Sequence, residues 1–249
     1  MRIGIIGGTG IYGYEGNTVS VDTAYGEVEV VHAVQGDHAV FFVPRHGAGH
    51  VLPPHRVNHR ANLQALADCH VDRVIGITTV GSLREDITPG MLFVPGDFID
   101  FTVSRPTFFD RGAVHVDMSQ PFCPEVREAV LAAARSRQGE VAEGVYACTS
   151  GPRLETPAEV ALLQQFAHVV GMTLAPEATL ARERGLCYAS LSLVSNLAAG
   201  LQKALPAQEI AAIYDRMRPV VMAVLREVVC SLPEERSCGC RGAAERGQL

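Results

Sequence analysis

Short apolar runs of strand length alternate with segments of helical spacing along most of the chain, and few folds accommodate that alternation. Arg2–Gly7 reads as a buried strand, and Thr18–Val34 alternates about a turn at Tyr25-Gly26 as a hairpin does. Ala39–Pro44, Arg73–Val80, Met91–Val94, Gly144–Thr149, Val169–Met172 and Tyr188–Val194 read as further strands. Helical patterns fall at Val57–Ala67, Pro124–Ser136, Thr156–Phe166, Pro176–Arg184 and Pro206–Cys230. Thr156 and Glu159 have the spacing of a capping box, and Pro219 predicts a bend in the last helix. The order predicts the α/β class: a single domain with a mixed, largely parallel central sheet flanked by helices. The domain is expected over residues 1–232, with residues 233–249 as a disordered tail dispensable for turnover.

A length of 249 residues with 47% hydrophobic content supports a sizeable core. The net charge of −6 argues against a nucleic-acid partner, which calls for a basic patch or stripe. No run reaches the ~18 apolar residues that span a bilayer, so no membrane partner is expected. The opening MRIGIIGGTG reads as a strand rather than a signal peptide, and a cytoplasmic location is expected. Lys203 is the only lysine, which excludes a Walker-A loop, a pyridoxal Schiff base and lysine catalysis elsewhere on the chain. Five of the seven cysteines suit buried free thiols, and Cys238-Gly239-Cys240 is too short to hold zinc alone. His46, His50, His55 and His59 cluster in sequence, but Pro53-Pro54 and the glycines break any continuous helix across them. No metal and no cofactor are expected.

Gly8-Thr9-Gly10-Ile11-Tyr12-Gly13 matches GxGxxG after a strand, the mark of dinucleotide binding. No helical pattern follows it, and the place of the expected acidic residue is taken by the hairpin. What survives is a turn of backbone N–H groups with a hydroxyl, suited to an anion. Arg45-His46-Gly47, Thr78-Thr79 and Met172-Thr173 each end a strand, where ligands bind in such sheets. Together with Thr9 they suggest a phosphate cup lined by hydroxyls and an arginine.

Seven ordered blocks carry a resemblance. They are Ile5-Ile6-Gly7-Gly8-Thr9-Gly10, Pro44-Arg45-His46-Gly47, Asn58-His59-Arg60-Ala61-Asn62, Thr78-Thr79-Val80-Gly81-Ser82-Leu83, Gln120-Pro121-Phe122-Cys123-Pro124, Gly151-Pro152-Arg153 and Gly171-Met172-Thr173-Leu174-Ala175-Pro176-Glu177. From Met1 to about Cys230 the chain resembles the 5'-methylthioadenosine phosphorylase and purine nucleoside phosphorylase family. The resemblance implies cleavage of a purine nucleoside by inorganic phosphate, a co-substrate, in a homotrimer or homohexamer. It implies phosphate held by Thr9, Arg45, His46, Thr78, Thr79 and Thr173, with Met172 against the ribose and His50 near the phosphate or sugar. His115 would reach in from a neighbouring subunit.

Where members that cleave 6-aminopurines carry an Asp-x-Asp pair, this chain has Asn196-Leu197-Ala198. After Gly-Pro-Arg it has Leu154-Glu155 in place of small hydroxyl residues. Glu155 with Asn196 resembles the base-reading pair of the guanosine- and inosine-cleaving branch, and both are candidate catalytic residues. The chemistry agrees. A 6-oxopurine offers an N1–H to a carboxylate and an O6 to an amide N–H, whereas adenine presents a bare N1. Ala207 stands where that branch carries a histidine for the 5'-hydroxyl, which favours a 5'-methylthio group, hence S-methyl-5'-thioinosine, over inosine or guanosine. A phosphate-independent nucleoside hydrolase and a non-catalytic purine-binding protein are the readings from other classes.

Overall fold

The computed structural model describes residues 1–8, 14–49, 51–202 and 207–248, with Ala207 described by its backbone alone. The strands are β1 (Arg2–Gly7), β2 (Asn17–Thr23), β3 (Gly26–Gln35), β4 (His38–Pro44), β5 (Arg73–Ser82), β6 (Leu92–Asp100), β7 (Ala142–Cys148), β8 (Val169–Gly171) and β9 (Cys187–Leu197). The helices are α1 (His59–Asp68), α2 (Pro124–Gln138), α3 (Pro157–Leu163), α4 (Leu174–Glu183), α5 (Ala207–Ser231) and a short α6 (Ala243–Arg246). The predicted elements are present, with ends moved by a few residues. Thr156 and Glu159 form the expected capping box on α3, and Pro219 lies within α5.

The sheet runs β2-β3-β4-β1-β5-β8-β7-β6-β9, with β9 also returning to β5. Five pairings are parallel (β1–β4, β1–β5, β5–β9, β6–β7, β7–β8) and the rest antiparallel, so the sheet is mixed. β5 makes this possible. Its first residues lie beside β1, its last two beside β8, and β9 runs along its other edge throughout. The strands β5, β8, β7, β6 and β9 thereby close on themselves, a ring that removes their free edges. The apolar strand residues split by side, as period-two alternation requires. Ile3, Ile5, Ile75 and Leu191 pack with α2 and α5, while Ile6, Val74, Val80 and Val194 pack with α1 and α4. No helix among the described residues is long and apolar enough to cross a membrane.

The C-terminal segment departs from expectation. Rather than a disordered tail, residues 233–248 lie against the domain. Cys240 is 2% exposed and Ala243 4%. The buried Arg73 donates from Nη2 to the carbonyls of Pro233 and Glu234 at 2.6 and 3.2 Å. Ser237 donates from its amide and hydroxyl to Glu125 Oε1 at 2.7 and 2.6 Å, and Gln248 bridges to Val114. A Gly- and Arg-rich composition suggested a solvated chain. What orders it is small apolar residues filling a gap and carbonyls that meet a buried guanidinium with few other acceptors. Truncation after Leu232 should therefore lower the stability of the domain by roughly 2–4 kcal/mol, the scale of a lost buried hydrogen-bond set with its packing. Urea denaturation of the full and truncated chains measures this; coincident midpoints would mean that the segment adds nothing.

Candidate active site

A cleft opens beyond the ends of β1, β4, β5, β8 and β9. It is lined by Gly8, Arg45, His46, Thr79, Gly171, Met172 and Thr173 at one end and by Glu155, Ser195, Asn196 and Ala198 at the other. Ile210 and Tyr214 of α5 complete it.

The anion end is assembled around a buried ion pair. Arg45 is 1% exposed and Glu177 fully buried. Arg45 Nε and Nη2 donate to Glu177 Oε1 and Oε2 at 2.5 and 2.9 Å, the two-point geometry of a fork meeting a carboxylate. Arg45 Nη1 donates to the Ile77 carbonyl at 2.5 Å. Tyr188 donates its hydroxyl to Glu177 Oε2 at 3.0 Å, and His59 Nδ1 stands 3.5 Å from Oε1. Burial alone would raise the Glu177 pKa, but the Arg45 charge and its hydrogen bonds override that and hold it at about 2. Burial, followed by the Glu177 charge, pushes the Tyr188 phenol well above its usual range, so it stays a donor. Gly8 fits here because it lacks a side chain. A Cβ would stand 2.5 Å from the Ile77 carbonyl oxygen and 2.7 Å from Arg45 Nη1.

Thr173 stands at the N-cap position of α4, without a side-chain capping bond, and lines the same cleft. His46 Nδ1 donates to the Leu52 carbonyl at 2.8 Å, which sets the ring plane. Thr79 lines the cleft, but Thr78 does not. The Thr78 hydroxyl instead meets Ser192 Oγ at 2.7 Å across the β5–β9 pair. Asn196 and Ala198 line the cleft, and Leu197 between them donates its amide to Gln202 Oε1 at 2.8 Å.

At the far end, Thr149 donates its hydroxyl to Glu155 Oε1 at 2.7 Å. Asn196 Oδ1 accepts from Ser195 Oγ at 2.6 Å, and its Nδ2 donates to the Leu197 carbonyl at 3.0 Å. These contacts fix the amide plane, and by count each end keeps one more donor or acceptor position. Met172 lines the same cleft, with its sulfur close against Gly151. His115 stands elsewhere, in a depression with Asp117, Arg182 and the C-terminal segment, its amide donating to the Gly247 carbonyl at 2.8 Å. Thr9 and His50 lie outside the described residues, as does the side chain of Ala207. Sequence reasoning gave no role to Glu177, Ile210 or Tyr214. Glu177 follows a helix-opening proline and reads there as an ordinary first-turn acid. Ile210 and Tyr214 are spaced i, i+4, a signal for a shared face but not for which cavity it meets.

The geometry and the sequence find their match in one family: residues 2–229 fit the Phosphorylase superfamily, to which the chain belongs. It is an enzyme of that superfamily, and three relatives span its range. An S-methyl-5'-thioadenosine phosphorylase of Thermococcus kodakarensis is 44% identical, covering 96% of both chains. A 6-oxopurine nucleoside phosphorylase of Pyrococcus furiosus is 40% identical, covering 97% of both. A probable S-methyl-5'-thioinosine phosphorylase of Methanopyrus kandleri is 42% identical, covering 100% of this chain and 99% of that one. Overall identity thus separates these named activities by only a few per cent.

Two outcomes follow for the ion pair. Glu177→Gln leaves Arg45 charged and buried without its counter-ion and should cost about 3–5 kcal/mol of stability. In the wild type, Glu177 is depressed from its ordinary 4.5 to about 2, so its contribution is complete above pH 4.5 and fades as the pH falls toward 2. The variant should lack that part of the acid-denaturation slope. Equal slopes in urea titrations of both proteins across that window would show that Glu177 is not the group responsible.

Proposed function

We propose that the chain cleaves 6-oxopurine nucleosides with inorganic phosphate, and that its substrate is S-methyl-5'-thioinosine, giving hypoxanthine and 5-methylthioribose 1-phosphate. The observation that carries the reading is one cleft with two chemically different ends. Arg45, Thr79 and Thr173 offer donors to an anion, Glu155 and Asn196 offer an acceptor and an amide to a base, and Met172 lines the same cleft. Thr9 and His50 belong to the anion end on the family resemblance.

In this reading the glycosidic bond stretches toward an oxocarbenium-like sugar. Bound phosphate stabilises the growing positive charge and then attacks C1', forming the C1'–O bond as the C1'–N9 bond breaks. The electron pair leaves on the base. The Asn196 amide meets O6 and N7 as negative charge gathers there, and Glu155 accepts from N1–H. Positioning and electrostatic stabilisation supply the rate, and no covalent enzyme intermediate is required. Ser195 and Thr149 act as positioning residues, since each bonds to the base-facing group beside it.

At the 5' end, Ile210 presents an apolar surface from the same helix that begins at Ala207, which suits a methylthio group. The Tyr214 hydroxyl one turn further on favours a second reading, inosine or guanosine with a free 5'-hydroxyl. The assembly we infer is a homotrimer or homohexamer in the cytoplasm, with His115 reaching the site of a neighbouring subunit.

A panel of methylthioinosine, methylthioadenosine, inosine, guanosine and adenosine, each with and without phosphate, tests the proposal. Methylthioinosine should show the highest kcat/KM, and omission of phosphate should abolish turnover. Turnover without phosphate would instead indicate a hydrolase. Arg45→Ala should raise the KM for phosphate far more than that for nucleoside. Asn196→Asp with Ala198→Asp should shift preference partly toward the aminopurine, and adding Glu155→Ser should shift it further. The discrimination at stake is ~2–5 kcal/mol, one or two mismatched buried hydrogen bonds. A wild type that prefers methylthioadenosine would defeat the assignment of Glu155 and Asn196.

A further inference from the structure

The fold gathers four cysteines that the sequence keeps far apart. Cys123 caps the start of α2, Cys187 opens β9, and Cys238 and Cys240 come from the C-terminal segment. Their four sulfurs lie within 4.8 Å of one another, and Cys187 and Cys238 approach to 3.3 Å. Cys123, Cys187 and Cys240 are buried, and Cys238 is half-buried. The expectation that Cys238-Gly239-Cys240 is too short to hold a metal considered that pair alone. The domain supplies the other two ligands.

We propose that these four cysteines form a structural site for a thiophilic divalent cation, zinc by its ligand chemistry, fastening the C-terminal segment to the domain. Three features of the cluster carry this. The first is spacing. A tetrahedral centre with metal–sulfur bonds of about 2.3 Å separates its sulfurs by roughly 3.8 Å, so the four need move only by fractions of an ångström to a little over one. The second is the ligand type. Four sulfurs and no oxygen select soft or borderline ions over magnesium or calcium, and four protein ligands leave no open position for catalysis. The nearest carboxylates are otherwise engaged, Glu125 with Ser237 and Asp72 with Arg236.

The third is charge. A divalent ion with four thiolates carries a net charge of about −2, costly to bury unless it is balanced. Two guanidinium groups are in place to balance it. Arg182 Nη1 donates to Cys240 Sγ at 3.7 Å, and Arg236 Nη1 donates to Cys187 Sγ at 3.7 Å. Such N–H donors to sulfur are the outer partners that orient metal-bound thiolates. Binding moves no electrons. The four thiols each give up a proton to solvent and the sulfur lone pairs go to the metal. The consequence reaches the catalytic assembly, because the segment beyond Cys240 holds the His115 backbone through Gly247.

The test uses the full chain, purified without chelator and kept reduced. Elemental analysis and native mass should give one zinc per chain. Titration of the metal-free reduced protein with Co(II) should give strong thiolate-to-cobalt absorption in the near ultraviolet, with the visible bands of a tetrahedral centre. Cys238→Ser with Cys240→Ser should lower bound metal at least tenfold, while Cys230→Ser, outside the cluster, should retain it. Should the double variant fail to fold, the Co(II) spectrum of the wild type decides alone. Reduced, folded protein that takes up neither zinc nor cobalt at this site overturns the proposal. So does protein isolated without metal and four hydrogens lighter than its sequence mass, since two disulfides would then occupy the cluster.

Discussion

The Arg45–Glu177 pair ties together parts of the chain that lie far apart in sequence. Arg45 follows the end of β4, Glu177 lies in the first turn of α4, Tyr188 belongs to β9 and His59 begins α1. Two charges removed from water are tolerated only when each is matched, so the position of every one of these elements is coupled to the others. The coupling extends to glycine. Tyr188 reaches the carboxylate only because Gly76, across the strand pair, has no Cβ to block its hydroxyl. The pair is also why Arg45 stays rigid beside the cleft. With Nε, Nη1 and Nη2 all anchored, its guanidinium has little rotamer freedom left to lose when an anion arrives.

The base-facing end has a different construction. Glu155 sits in a loop ahead of α3, and Asn196 near the end of β9, so neither is held by a charge partner. Each is instead oriented by a hydroxyl, Thr149 for the carboxylate and Ser195 for the amide. Neutral hydroxyl contacts fix a plane without neutralising the group, which leaves the carboxylate its charge for a base proton. The anion end is thus rigid by electrostatics, and the base end is shaped by local hydrogen bonds. That division is consistent with a family that keeps one phosphate chemistry while varying the base.

Much of this was legible beforehand, and the residues show why. Strand and helix periodicity located the elements because most strands are buried on both faces and most helices on one. Arg45, His46 and Thr173 stood out because they come just after strand ends, whereas Thr79, read from sequence as a strand end too, lies inside β5. What a motif of consecutive residues does not tell is which of them face the cleft: Thr79 lines it, while the Thr78 hydroxyl is taken up by Ser192. Glu177 was hidden because its partner lies 132 residues away. The C-terminal segment was misread because its order comes from the buried Arg73 and from cysteines elsewhere, partners that no local composition reveals.

The seam between β5 and β9 has a consequence in time as well as in space. It joins residues such as Thr78 and Ser192, 114 apart in sequence, and Gly81 beside Asn196 at a register shift. A parallel pairing over that distance forms only after its loop-closure entropy has been met, which places it late in folding. On a ribosome, β5 emerges long before its partner and waits with one edge uncovered. The two walls of the cleft, Thr79 on one strand and Asn196 on the other, therefore come together only after β9 has been made. A nascent chain arrested before β9 would hold most of the hydrophobic core residues but lack the wall that Ser195, Asn196 and Ala198 give the pocket.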